Sequence, residues 1–251
     1  MITPQPFFNQ IESTAAAARQ RLEQTPAVAR CLAGEVEMQT YQAFLVEAYH
    51  HVKHTVPLLM ACGSRLPERL EWLRAAIVHY IEEEVGHQEW ILNDLHQLGV
   101  DKEQVRHGQP TLATELMVSY AYDTIARGNP VGLFGMVYAL EKTSSTIATY
   151  AASQIVTALD LPAQAMSYMV SHGSLDLTHM QDFEKLMNRL EDADDKAAVL
   201  HAVGVFYELY TRIFAALPLD SNTTTEQSHA AGKNERDTDR CGGRHRQAAG
   251  R

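Results

Sequence analysis

The chain has 251 residues, 45% of them hydrophobic, with three cysteines and a formal net charge of −10, and is long enough to bury a sizeable core. The acidic balance disfavours nucleic acid as a partner, and Cys31, Cys62 and Cys241 show no CxxC spacing, which sets aside a disulfide framework and a thiolate zinc site. No run of about 18 apolar residues occurs, and the start "MITPQPFFNQIEST" lacks the basic and apolar regions of a signal peptide, so a soluble cytoplasmic protein with no membrane partner is expected.

Apolar residues recur at intervals of three and four along the first 220 positions, with no alternating β-branched run. About seven helices are predicted, near 4–24, 34–62, 67–98, 110–127, 130–158, 162–190 with a break near Gly173, and 194–216. The punctuation is Thr25-Pro26, Gly63 to Pro67, Gly99, "RHGQP" at 106–110, "RGNP" at 127–130 and "LDLP" at 159–162. Long helices with short turns pack as an antiparallel bundle, giving an all-α single domain over 1–220. Residues 221–251 carry almost nothing apolar larger than Ala and are expected to form a disordered tail.

The second helix carries "FLVEAYHHVKH", with Glu47 and His50 at i, i+3 and His51 and His54 beside them. Such a Glu-x-x-His pair is a building block of ferritin-like bundles, although here it falls on the helix just before another such pair. Glu47 and His50 are therefore assigned to the pocket, as catalytic or ligand-supporting residues. The third helix contains "YIEEEVGHQEW", where Tyr80, Glu84 and His87 share a stripe while Glu82 and Glu83 fit a solvated acidic face. Tyr80 is assigned as a redox or hydrogen-bonding neighbour of the pair.

In the fifth helix Glu141 follows the apolar run "NPVGLFGMVYAL". A lone carboxylate there is costly to bury unless it is protonated, paired or bound to a cation, or unless the helix turns it outward beside Lys142. The sixth helix places His172, Asp176 and His179 at i, i+4 and i+7, a column of donor atoms spanning about 10 Å. Three imidazoles and three carboxylates on three helices suit iron, with manganese as the alternative.

With these residues in order, the chain resembles the heme-oxygenase-like diiron oxidases and oxygenases, in the superfamily of the TenA thiaminases and the PQQ-synthesis oxidase, over about residues 5–217. The motif is a Glu and a His close together, a Glu on a later helix, then His-x3-Asp-x2-His: here Glu84, His87, Glu141, His172, Asp176 and His179. Because Glu84 stands three residues before His87 and Tyr80 occupies the position seven before, the chain is similar to the branch typified by the alkene-forming fatty-acid decarboxylases.

The resemblance implies a heme-oxygenase-like bundle, a homodimer, and two irons: Glu84, His87 and His172 on one, and Glu141, Asp176 and His179 on the other. It also implies O2-dependent oxidation of a small organic molecule such as a fatty acid or an amino-acid-like carboxylate. Three alternatives share that fold: heme binding through His51 or His54, TenA-type hydrolysis, and a non-catalytic binding module. The stretch 130–158 has no cysteine for TenA chemistry, and Ser144 or Ser145 without a paired base is a poor substitute. Phe134, Met136, Tyr138, Met166, Tyr168 and Met169 fit either core packing or the lining of an apolar channel.

Overall fold

The computed structural model describes residues 5–219, apart from the side chains of residues 163 and 172–178. The expected tail lies outside the described residues. The elements are α1 (Phe7–Glu23), α2 (Pro26–Leu32), α3 (Met38–Val52), α4 (Thr55–Arg65), α5 (Glu71–Glu84), α6 (His87–Gln97), α7 (Lys102–His107), α8 (Leu112–Arg127), α9 (Leu133–Thr143), α10 (Thr149–Leu159), α11 (Ser167–Asn188) and α12 (Ala193–Ala215). No strand occurs among the described residues, and no helix there is long and apolar enough to cross a membrane.

Three expected helices are divided. The run 34–62 breaks into α3 and α4 at Lys53 and His54. Pro57 stands in the first turn of α4, where its missing N–H costs nothing but its ring excludes a continuous helix through Lys53. The run 67–98 breaks at Val85 and Gly86, with Gly86 in the left-handed region at φ 95°. The run 130–158 is α9 and α10 joined by a π-helical turn, Ser144–Ala148. By contrast, α11 is one element across the position where a break near Gly173 is expected. The short helices α2 and α7 were not expected, although Pro26 at the first turn of α2 and Asp101 capping α7 are ordinary helix-start signals.

The buried apolar residues form two clusters. One joins α1, α4, α8, α9 and α12 around Ile11, Leu58, Met117, Tyr138 and Phe206, and extends to Ile77 of α5 and Phe183 of α11. The other joins α3, α6, α10 and the start of α11 around Leu45, Leu92, Ile155 and Met169. The chain passes between them where its backbone is irregular: from Ile77 to Ile91 through Gly86, and from Tyr138 to Ala148 through the π turn.

Close approach of α9 to α12 depends on Gly135. A Cβ there would lie 2.6 Å from the backbone nitrogen of Val203 and 2.7 Å from the Ala202 methyl. Since backbone cannot swing aside, Gly135→Ala is expected to cost roughly 1–3 kcal/mol, read as a lower midpoint in denaturant unfolding.

Buried carboxylates position the remaining helices. Glu47 accepts from the Thr111 backbone N–H at 3.2 Å and hydroxyl at 2.8 Å, and from the Thr114 hydroxyl, so it caps α8 from α3. Asp94 of α6, fully buried, accepts from the Ser167 hydroxyl at 2.6 Å and from the backbone N–H groups of Ser167 and Tyr168 at 3.1 and 2.8 Å. It thereby caps α11 from a neighbouring helix. Burial pushes its carboxyl above the usual range, and the three donors pull it back.

Candidate metal centre

Glu84 ends α5, Glu141 lies in the last turn of α9, and His179 lies midway along α11. All three are buried, and each offers one ligand atom within 4.8 Å of the others. The outward alternative for Glu141 does not occur: Lys142 turns away to Glu12 of α1 at 2.7 Å, while Glu141 is 6% exposed. Two carboxylates confined this closely repel each other and lose hydration, a cost that a bound cation offsets. Oxygen and imidazole donors together fit Fe(II), Fe(III) or Mn(II).

His87 begins α6 and places Nδ1 3.1 Å from Glu84 Oε2, with its ring stacked on Trp90 at 4.0 Å. The pair meets across the Val85–Gly86 turn rather than along one helix, so the i, i+3 geometry inferred from the sequence is replaced by a left-handed glycine that delivers the same contact. His172 and Asp176 lie outside the described residues. Tyr80 packs its ring edge-on against His179, centroids 5.2 Å apart.

Glu83, expected on a solvated face, is half-exposed and puts Oε2 3.3 Å from His179 Nε2, while Glu141 Oε1 lies 3.4 Å from Nδ1. A carboxylate on one ring nitrogen is the arrangement that fixes the tautomer and orientation of a metal-ligating imidazole. Its signal in the sequence was only that Glu83 neighbours Glu84.

Glu47 and His50 stand apart from this cluster. Glu47 is occupied by Thr111 and Thr114, and His50 Nδ1 lies 3.1 Å from Lys53 Nζ. Burial and Lys53 hold the His50 ring below its ordinary pKa, as they do for His54, whose Nδ1 meets the Tyr122 hydroxyl at 3.1 Å.

Two spaces adjoin the cluster. A chamber of about 680 Å³, open volume included, is bounded by His51, Tyr80, Glu84, Met136, Glu141 and Tyr168. Ser144 opens on it from the π turn, its buried hydroxyl oxygen without a hydrogen-bond partner among the described residues. A groove of about 950 Å³, counted likewise, includes Tyr80, Glu83, Glu141 and His179. Of the six aromatic and Met residues weighed as channel lining, Met136 and Tyr168 reach the chamber and Phe134 the groove, whereas Tyr138 and Met166 are core and Met169 lines a separate apolar cavity.

The fold is a helical bundle that gathers two carboxylates and an imidazole in its interior. The "Iron-containing redox enzyme" family model matches residues 42–211, and the chain belongs to that family. The matched span contains the described cluster and the His172 and Asp176 positions.

Among solved structures, a domain of unknown function with a heme oxygenase-like fold from Shewanella denitrificans is 26% identical, covering 86% of this chain and 93% of its own, at TM-score 0.75. A TenA homolog from Pseudomonas syringae pv. tomato is 13% identical, with 84% and 91% covered and TM-score 0.71. Heme oxygenase from Leptospira interrogans is 17% identical, with 85% and 100% covered and TM-score 0.70. The fold is thus the heme-oxygenase-like, all-α one. A search of curated protein sequences finds no match.

Proposed function

We propose that the protein is a non-heme diiron oxidase or oxygenase that uses O2 to oxidise a small organic molecule bearing a carboxylate. The observation that carries this is the buried Glu84–Glu141–His179 cluster in a chain of the iron-containing redox family. Glu84 with His87, joined by His172, would hold one iron; Glu141 and His179, joined by Asp176, would hold the other. Manganese fits the same donors.

Bound iron supplies the electrons that reduce O2 and the oxidising power that removes hydrogen from an unactivated bond. The protein's own part is positional. Glu83 holds one nitrogen of His179, the Tyr80 ring packs against the same imidazole, and Leu58, Leu59 and Met136 give the chamber apolar walls. The π turn beginning three residues after Glu141 belongs to a class of distortion concentrated at functional sites.

Anaerobic Fe(II) titration of the purified chain, followed by O2, tests the proposal. Uptake of about two irons per chain, and O2 consumption that rises with an added carboxylic acid, are expected. Failure to take up iron would leave a binding module, and a Soret band on adding hemin would indicate heme chemistry instead.

A further inference from the structure

The chamber beside the cluster also adjoins an apolar cavity of about 890 Å³, open volume included. Its walls are Val28 of α2, Phe44 of α3, Ile147 of the π turn, Ile155 of α10, Met169 of α11 and Phe214 of α12. Ala148 and Ala151 line it with single methyl groups. Ser144, Tyr168 and Tyr210 line both this cavity and the chamber, just as Tyr80, Val137 and Glu141 line both the chamber and the groove. The three spaces therefore stand in series, with Glu84 and Glu141 on the middle one and His179 on the last.

The two ends of the series differ in chemistry. The groove carries His79, Glu83, Asp182, Lys185 and Arg189. Among the described residues, the charged lining of the cavity is Arg30 and Glu35, and Arg30 is already paired with Glu37 at 2.5 Å and with Glu35 at 3.8 Å. Short of the junction with the chamber, its other polar groups are satisfied or uncharged. The Thr40 hydroxyl donates to the Pro218 carbonyl at 2.6 Å and the Tyr41 hydroxyl to the Ala165 carbonyl at 3.3 Å, while burial pushes the Cys31 thiol up to about 11, so that it is neutral at pH 7. A carboxylate entering here would lose its hydration and meet no free cation. An uncharged apolar molecule bears no such cost, and hydrocarbon-lined cavities hold small apolar species such as benzene and xenon.

We propose that this cavity is the dioxygen route: O2 collects between α2, α3, α10 and α12 and enters the metal chamber past Ser144, Tyr168 and Tyr210. The walls that admit it exclude charged and strongly polar molecules from the same path. This rests on the proposed function for what consumes the O2, whereas occupancy of the cavity by an apolar gas requires no metal.

Xenon, an apolar atom with strong anomalous scattering, reports the route in crystals of the metal-free full chain. Under xenon pressure, peaks are expected beside Ala148 and Ala151 and none in the groove. Ala151→Phe, which fills the cavity, should remove them. In the Fe(II)-loaded chain the same variant should take up iron as wild type does, while its second-order rate of oxidation by O2 falls by about tenfold. Leu186→Phe, which narrows the groove instead, should leave that rate within about twofold of wild type. Absence of xenon from the cavity, an elongated ligand filling it in the protein as purified, or an A151F rate equal to that of wild type would each overturn the proposal. The wild-type xenon map carries the test if A151F fails to fold. Xenon in the cavity of a chain that takes up no iron would overturn the diiron reading and leave the cavity as a site for apolar gas.

Discussion

Glu141→Gln is expected to stabilise the metal-free protein slightly and to abolish its stabilisation by iron. In the free chain two buried carboxylates, Glu84 and Glu141, lie with His179 inside a 4.8 Å group. Replacing one charge by an amide of the same shape relieves repulsion and desolvation, so the unfolding midpoint without metal should stay level or rise. With Fe(II) at about 100 times its Kd, wild type should gain roughly 2.7 kcal/mol per site, and the variant a small fraction of that. His179→Ala should likewise lose iron and O2-dependent turnover while keeping its far-UV circular dichroism, because the helices are held by the two apolar clusters. A residue that merely stabilised the bundle would show the opposite sign for Glu141→Gln. Thermal melts with and without anaerobic Fe(II) separate the two.

Asp94→Ala should be strongly destabilising. It removes an acceptor from three donors at the start of α11 and leaves two backbone N–H groups unsatisfied in the interior. Cap loss and buried unsatisfied groups together set the cost at roughly 2–4 kcal/mol. The effect should be concentrated. Amide hydrogen exchange should rise first in α11, which carries His179, and iron affinity should fall with it. Asp94→Asn keeps one acceptor and should recover part of both. Asp195 offers the comparison: it too is buried and holds Arg69 and Asn129, but on α12, away from the cluster. An Asp195→Ala variant with similar loss of stability should retain its iron affinity.

The helical class and the position of most helices were legible because apolar periodicity is a local signal; Glu141 stood out as a carboxylate in an apolar run, but its direction was left open. The divisions were partly legible. Pro57 and Gly86 announce the α3–α4 and α5–α6 breaks, and each was outweighed by the apolar pattern running through it. The π turn at Ser144–Ala148, which packs against α11, has no counterpart in residue type.

Glu47 shows where a motif misleads. Its spacing to His50 matches a ligand pair, yet the carboxylate is claimed by Thr111 and Thr114, about sixty residues on, which only the tertiary fold brings near. Glu83 is the converse: a surface acid by pattern that the tertiary fold sets beside the His179 ring. Local pattern reports which residues are apolar. It does not report which long-range donors a buried carboxylate will meet.

The most direct measurement is anomalous diffraction at the iron edge from crystals loaded anaerobically with Fe(II). Two peaks about 3.5–4 Å apart are expected, among Glu84, Glu141 and His179, with His87 beside Glu84. A single peak remote from these side chains, or iron found only within a porphyrin, would contradict the diiron reading.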